Sequence, residues 1–185
     1  MFLKALRNIF FILLALTVVS CSEYNKVMKS DDLEWKYEKA LEYYEKEKYF
    51  KAYPLFEELI TYFRGTSRAE DLHYKLAYID YNLEDYMLAA HRFKQFNKTF
   101  PRSEHAEECM YMSAYSTYLM SPIFSLDQDP TYEAIDKLQI FINEYPQSDR
   151  ADKATELIIK LEDKLEYKAY KAAKQYFKME DYRAA

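Results

Sequence analysis

The amino-acid sequence predicts an all-α protein, a right-handed solenoid of stacked helical hairpins. Its 185 residues include one glycine, Gly65, which disfavours the tight turns of β-sheet proteins and excludes glycine-rich phosphate loops. Apolar residues recur at helical spacing from Ser30 onward, between short breaks. Short motifs also recur at a constant interval of 37 residues, which is typical of a repeat architecture.

The N-terminal segment, residues 1–20, has the pattern of a secretory signal peptide. Two cations, Lys4 and Arg7, precede an uncharged, mostly apolar run over residues 9–19. Such a run spans about 16 Å as a helix, which is too short for a hydrocarbon core of about 30 Å. The pattern therefore predicts a targeting segment rather than a membrane-spanning helix.

The apolar run ends at Cys21 in the motif Val-Val-Ser-Cys, which resembles the bacterial lipobox. In proteins with this motif the cysteine sulfur receives a diacylglycerol, the signal peptide is cleaved before it, and the new amino group is acylated. The resemblance implies that Cys21 is the lipidation site and that acyl chains such as palmitate anchor it in outer-membrane lipid. Residues 21–29 would then form a lipidated tether, and a helical domain would cover residues 30–185.

Start signals precede the predicted helices. Ser30-Asp31-Asp32 is typical of a cap followed by acidic residues in the first turn, and Ser67-Arg68-Ala69-Glu70 of a capping box. Asp129-Pro130 is typical of a cap followed by proline at the first helical position. Ser103 and Ser148 each follow a proline by two residues and can cap the helices after them.

The repeated motif keeps constant internal intervals, with a tyrosine nine residues and a second alanine twelve residues after the first alanine. These intervals match the tetratricopeptide repeat, in which small residues lie where the two helices of a hairpin cross closely. The successive copies contain Ala40, Tyr49, Ala52 and Phe56; Ala77, Tyr86, Ala89 and Phe93; Ala114, Ala134, Leu138, Phe141 and Pro146; and Ala173, Tyr182 and Ala185.

Four repeats are predicted from these copies. They cover about residues 33–66, 70–101, 106–146 and 149–185. The third carries an insert of eight residues, and the fourth consists of a long helix and an incomplete second helix. A half repeat leaves an apolar face uncovered, so further repeats are expected after Ala185.

Composition and spacing argue against several classes of function. The formal net charge is −5, whereas a nucleic-acid-binding protein needs a basic surface to bind phosphates. No two of His73, His91 and His105 have the four-residue spacing of a helical zinc site. We therefore expect neither an enzyme nor a metal or cofactor site. Cys109 has no intramolecular partner once Cys21 is acylated, and we expect a small buried residue there.

Tyrosines line one face of the predicted first helices of repeats one to three, and we call this set the tyrosine ladder. The ladder consists of Tyr37, Tyr44, Tyr74, Tyr78, Tyr81, Tyr111, Tyr115 and Tyr118. Spacings of three, four or seven residues put each group on one helical stripe. One interpretation is packing between helices, and the other is a concave groove for an extended peptide with aromatic side chains. A glycan would also stack on such a face.

Several stretches resemble the BamD family, the repeat-containing lipoproteins of the outer-membrane β-barrel assembly machine, in a Bacteroidetes-like version. They are residues 71–100, the insert over residues 121–131, and residues 141–148. The insert carries a proline and the pair Asp127-Gln128 ahead of a Thr-x-x-Ala-Ile helix start. The resemblance covers about residues 21–185 and accounts for the insertion in the third repeat.

The resemblance implies a lipid-anchored adaptor, without catalytic activity, on the periplasmic face of the outer membrane. Its N-terminal repeats would bind the aromatic C-terminal signal of unfolded outer-membrane proteins at the tyrosine ladder. Its C-terminal repeats would hold the periplasmic domains of a BamA-like barrel protein, through residues expected largely beyond Ala185. A glycan-binding surface lipoprotein and a generic envelope adaptor, acting in division or envelope maintenance, are the two alternatives.

Overall fold

In the computed structural model, residues 23–184 are described, and the regular secondary structure in this range is helical throughout. A short helical segment over residues 23–28 precedes α1 (Leu33–Glu45), α2 (Tyr49–Tyr62), α3 (Arg68–Asn82), α4 (Tyr86–Thr99), α5 (Ala106–Leu119), α6 (Asp129–Glu144) and α7 (Ala151–Lys178). This confirms the predicted all-α fold class. The predicted signal peptide, residues 1–20, and the predicted lipidation site, Cys21, lie outside the described residues.

The chain divides into two compact units, with the boundary between Leu72 and His73 inside α3. Within each unit, consecutive helices pack against each other, as a solenoid of helical hairpins requires. The repeat boundaries assigned from the sequence stay a prediction. No helix within residues 23–184 combines the length and apolar character that crossing a membrane would take.

The first unit is built on the hairpin of α1 and α2. Ala40 and Ala52 are both 0% exposed, and the fully buried Phe56 lies on α2 beyond them. A buried lysine on α1, Lys36, forms an ion pair of 2.6 Å with Glu58 on α2. Small residues at the crossing and this partly buried charge pair hold the two helices together.

The second unit contains two apolar clusters. The first joins α3, α4 and α5 through Ala77, Ala89, Phe93, Phe96 and Cys109. Cys109 is buried as predicted, and burial raises the pKa of its thiol to about 12. The second cluster joins α5 and α6 to the first half of α7 through Ala114, Ala134, Leu138, Phe141, Ala154, Leu157, Ile158 and Leu161.

The insert between α5 and α6 is an ordered loop fastened to α7. Gln128 is buried, and its Nε2 donates to the carbonyls of Ile123 and Leu126, both at 2.9 Å. The Lys164 ammonium donates to the Pro122 carbonyl at 3.0 Å, and that of Lys168 donates to the Leu126 carbonyl at 2.5 Å. Side-chain donors therefore satisfy the backbone carbonyls of a segment that has no secondary structure of its own.

Four of the predicted helix starts are shifted, and the N-caps of α5 and α7 are His105 and Arg150 rather than Ser103 and Ser148. Asp32, not Ser30, caps α1, because its Oδ1 accepts the Trp35 N–H at 3.0 Å. An ionised carboxylate at this position also interacts favourably with the helix dipole. Gln128, not Asp129, is the N-cap of α6, so Asp129 is the first residue of the helix and adds a negative charge to its first turn.

A glutamate adopts the left-handed conformation in the turn after α1, α3 and α7. Glu47, Glu84 and Glu180 have φ values of 54°, 63° and 59°. Each donates its backbone N–H to the carbonyl three residues earlier, a geometry that glycine usually provides at helix C-termini. Two of the three are separated by the repeat interval of 37 residues, so the strained turn belongs to the repeat itself.

We expect the Glu84→Gly substitution to raise the free energy of unfolding by about 0.5–1 kcal/mol. Relief of left-handed strain contributes about 1–2 kcal/mol, and the added freedom of the unfolded chain removes about 0.4–1 kcal/mol of that gain. Urea unfolding of the full chain measures the difference. The control is Glu156→Gly, an exposed site inside α7 and past its first turn, where the same change should cost about 1 kcal/mol. A loss of stability at residue 84 would contradict the prediction.

Candidate functional site

The two ladder tyrosines of the first unit pack inside that unit. The ring of Tyr37 lies 5.7 Å from that of Phe63, and the Arg68 guanidinium lies 4.7 Å above it. The ring of Tyr44 lies 6.0 Å from that of the buried Phe56. Both tyrosines are half-buried. Their ring contacts hold α1 against α2 and against Phe63, the residue that directly follows α2.

The six ladder tyrosines of the second unit are joined by ring contacts, and we call them the aromatic row. The row consists of Tyr74, Tyr78, Tyr81, Tyr111, Tyr115 and Tyr118. Each is half-buried against one of the two apolar clusters. The sequence spacing correctly put the members of each helix on one face, and α3 meets α5 in the row where the rings of Tyr81 and Tyr115 lie 6.4 Å apart.

The α3 part of the row serves internal packing. The hydroxyl of Tyr78 donates to Glu108 Oε1 at 2.5 Å, and its ring lies edge-on to that of Phe93 at 5.1 Å. Burial, followed by this hydrogen bond, raises the pKa of Tyr78 far above its usual value. Tyr74 stacks on the His105 ring at 4.2 Å, and burial raises the pKa of Tyr74 to about 12.

The α5 part of the row has a different character. Tyr115 lies between Tyr111 and Tyr118, at 5.8 Å from each, and the ring planes are tilted by only 9° and 14°. The hydroxyls of these three tyrosines form no hydrogen bond to another residue among 23–184. The result is a set of near-parallel rings with three hydroxyls available to a guest as donors and acceptors.

Charged residues border the row at the start of α7. The Arg150 guanidinium lies 3.6 Å from Glu107 and 3.8 Å from Glu108. Ser148 donates to Glu107 at 2.6 Å. Sequence reasoning missed Glu108 as a partner of the row, although it precedes Tyr111 by three residues, the spacing of a shared helical face.

The three histidines lie in different surroundings. His105 stacks on Tyr74, the ring of His73 lies 5.7 Å from that of Phe100, and His91 is exposed. Across the part of the chain that the structure describes, no three side chains of histidine, cysteine, aspartate or glutamate converge as a metal site would require.

Comparison with known proteins gives one informative match. The family model for YfiO, described as an outer membrane lipoprotein, matches residues 29–185. No curated protein sequence matches the chain. The matched range contains all described helices from α1 to α7 and every tyrosine of the ladder.

Proposed function

This chain belongs to the YfiO family of outer membrane lipoproteins, and from that membership we propose that it is a scaffold of the outer-membrane β-barrel assembly machine. It binds unfolded outer-membrane proteins and the periplasmic domains of a BamA-like barrel protein, and it catalyses no reaction. Acyl chains on Cys21 anchor it to the periplasmic face of the outer membrane. The family match and the helical-repeat fold support this role.

The α5 part of the aromatic row is the observation that carries the proposed substrate site. An extended peptide exposes backbone N–H and C=O groups that need partners, and three tyrosine hydroxyls that form no hydrogen bond within residues 23–184 offer both donors and acceptors. The ring edges offer apolar area for aromatic side chains of the peptide with little loss of rotamer entropy. Tyr111, Tyr115 and Tyr118 are therefore the proposed peptide-contacting residues of the second unit.

The other ladder residues have supporting roles in this proposal. The hydroxyl of Tyr78 is bonded to Glu108, so Tyr78 and Tyr74 support the row from within and offer a guest mainly their ring edges. Tyr81, whose ring lies 6.4 Å from that of Tyr115, joins this part of the row to the α5 part and offers its ring to the same guest. Tyr37 and Tyr44 form a separate aromatic surface on the first unit, which we propose as a second contact region for the same class of peptide.

Pull-down of the full-length protein from its native membranes tests the assembly role. A large barrel protein with periplasmic domains should be recovered. Recovery of polysaccharide-uptake receptors alone would instead support a glycan-binding lipoprotein. Titration with oligosaccharides and, separately, with a peptide that ends in an aromatic residue distinguishes the two ligands, and envelope proteins unrelated to barrel assembly in the pull-down would indicate a generic adaptor.

We expect the Tyr115→Ala substitution to weaken binding of a peptide with a C-terminal aromatic residue by about 1–3 kcal/mol. The central ring of the α5 group contacts both neighbours, so its loss also removes their support. Fluorescence anisotropy with the labelled peptide measures the affinity, and circular dichroism checks that helicity is unchanged.

The matched control is Tyr132→Ala, because Tyr132 is 56% exposed on α6 and is not part of the row. It should bind the peptide as the unmodified protein does. Equal affinity of the Tyr115 variant and this control would contradict a role in binding. A loss of helicity in the Tyr115 variant would assign the ring to packing.

A further inference from the structure

A groove separate from the aromatic row lies between α4 and α6, with α5 as its floor. It has a volume of about 390 Å³. The floor is formed by residues that include Ala106, Met110 and Ala114, and the small side chains among them leave the space open. Ser113 also lies there, but its hydroxyl donates to the Ala90 carbonyl of α4 at 2.9 Å.

Three lysines line this groove, in a protein whose formal net charge is −5. Lys94 and Lys98 lie one turn apart on α4, and neither forms an ion pair with another residue among 23–184. Lys137 lies across the groove on α6, where it is bonded to Glu133 at 2.8 Å and to the Thr117 hydroxyl at 2.9 Å. Glu144 is the one acidic residue of the lining. The α4 wall therefore carries two uncompensated positive charges.

The groove also offers an apolar contact and an unused acceptor. Ile140 on the α6 wall is 54% exposed, although it is a large aliphatic residue. Asn97 lies between the two α4 lysines in sequence, and its Oδ1 is buried without a hydrogen-bond partner in the described part of the chain. Rotation of the Asn97 side chain would bring this acceptor to the groove surface, where a peptide backbone N–H can donate to it and a phosphodiester cannot.

We propose that this groove, which we call the lysine groove, docks a short acidic segment of a partner protein. One apolar side chain of the segment packs on Ile140, acidic side chains pair with Lys94 and Lys98, and a backbone N–H donates to Asn97. The required chemistry is an acidic peptide with an apolar anchor, the reverse of the aromatic peptide assigned to the row. None of these residues belongs to the tyrosine ladder, so the inference stands apart from the proposed function.

Selection from a random library of short displayed peptides tests the proposal. The full chain, purified in detergent, is the target, and peptides retained by the Lys94→Glu/Lys98→Glu variant are removed first. We expect the surviving sequences to be enriched in aspartate and glutamate around an apolar residue. The most enriched peptide is then labelled, and its affinity is measured by fluorescence anisotropy.

The variant series identifies the site. Lys94→Glu/Lys98→Glu should weaken binding by about tenfold or more, and higher salt should weaken binding to the unmodified protein. The Lys94→Gln/Lys98→Gln variant removes the two charges without reversing them and perturbs α4 less. It should also bind the peptide more weakly than the unmodified protein, but with a smaller loss of affinity than the glutamate variant. The matched control is Lys153→Glu/Lys178→Glu on exposed positions of α7, and it should bind within about twofold of the unmodified protein.

Three results would overturn the proposal. The first is an absence of enriched peptides, or enrichment without acidic residues. The second is equal binding by the Lys94→Gln/Lys98→Gln variant and the unmodified protein. The third is displacement of the peptide by water-soluble short-chain phosphatidylglycerol with the same dependence on Lys94 and Lys98, which would assign the groove to an anionic lipid headgroup.

Discussion

The Cys21→Ala variant is expected to be absent from the outer-membrane fraction. A single acyl chain gives only reversible membrane binding, with an association constant of about 10⁴ M⁻¹, and two or more chains make anchoring stable. The variant loses every chain, because the sulfur that receives the diacylglycerol is gone and the signal peptide is no longer cleaved. Incorporation of labelled palmitate, together with separation of inner and outer membranes, measures the effect.

The uncleaved precursor keeps its signal peptide, so it should stay at the inner membrane, where export begins, without a palmitate label. Cys109→Ala is the matched control, since Cys109 is the other cysteine of the chain and is fully buried. It should keep both the label and the outer-membrane location. Palmitate incorporation into the Cys21 variant, or loss of label in the control, would contradict the assignment of Cys21.

The repeat alanines show how far the fold could be predicted from the sequence. Ala40, Ala52, Ala77 and Ala89 were chosen only because they recur at fixed intervals, and each is 0% exposed. Two helices can cross closely only where their side chains are small. The interval between the small residues therefore predicts where the helices of a hairpin cross. The same reasoning held for Ala114 and Ala134 despite the insert.

Helix ends were less predictable, for a physical reason. Ser30 and Asp32 are both competent capping residues, and sequence alone does not decide which one meets the free N–H groups of α1. The left-handed glutamates gave no local signal, because glycine is the residue expected there. Their recurrence at the repeat interval was the one available indication, and it becomes meaningful only after the turn geometry is known.

The sequence predicted which helix face carries the tyrosines of the candidate site, but not which of their hydroxyls are already hydrogen-bonded within the fold. Spacing put Tyr78 and Tyr115 in one ladder, yet the first donates its hydroxyl to Glu108 and the second makes no hydrogen bond to a described residue. The difference depends on which partner a neighbouring helix presents. The lysine groove was not predicted at all, because it arises from three helices whose separation is set by the small residues of α5.

The Arg92→Met substitution should lower the free energy of unfolding by about 3–5 kcal/mol. Arg92 on α4 lies 2.5 Å from Asp80 on α3, and the Asp80 side chain is only 2% exposed. Methionine keeps much of the alkyl packing of arginine but removes the positive charge. The substitution therefore leaves the buried Asp80 carboxylate without the positive charge of Arg92, at a contact that joins α3 to α4.

The free energies of unfolding of four variants, measured in urea, separate the cost of the unpaired charge from the cost of lost packing. Asp80→Asn should cost less, about 1–3 kcal/mol, because the Arg92 side chain is 24% exposed and can turn toward water. Asp80→Leu/Arg92→Met should recover most of the stability, since an apolar pair replaces a buried ion pair without leaving a charge behind. Lys46→Met, which breaks an exposed ion pair with Glu42, should cost no more than about 1 kcal/mol.

The order of these four variants decides the role of the buried pair. If Arg92→Met proves as mild as Lys46→Met, then Asp80 is compensated by other partners and the pair does not hold α3 to α4. If the double variant is as unstable as Arg92→Met, the loss comes from packing rather than from the unpaired carboxylate. The expected order, with the single Arg92 variant least stable, follows from the cost of burying one charge without the other.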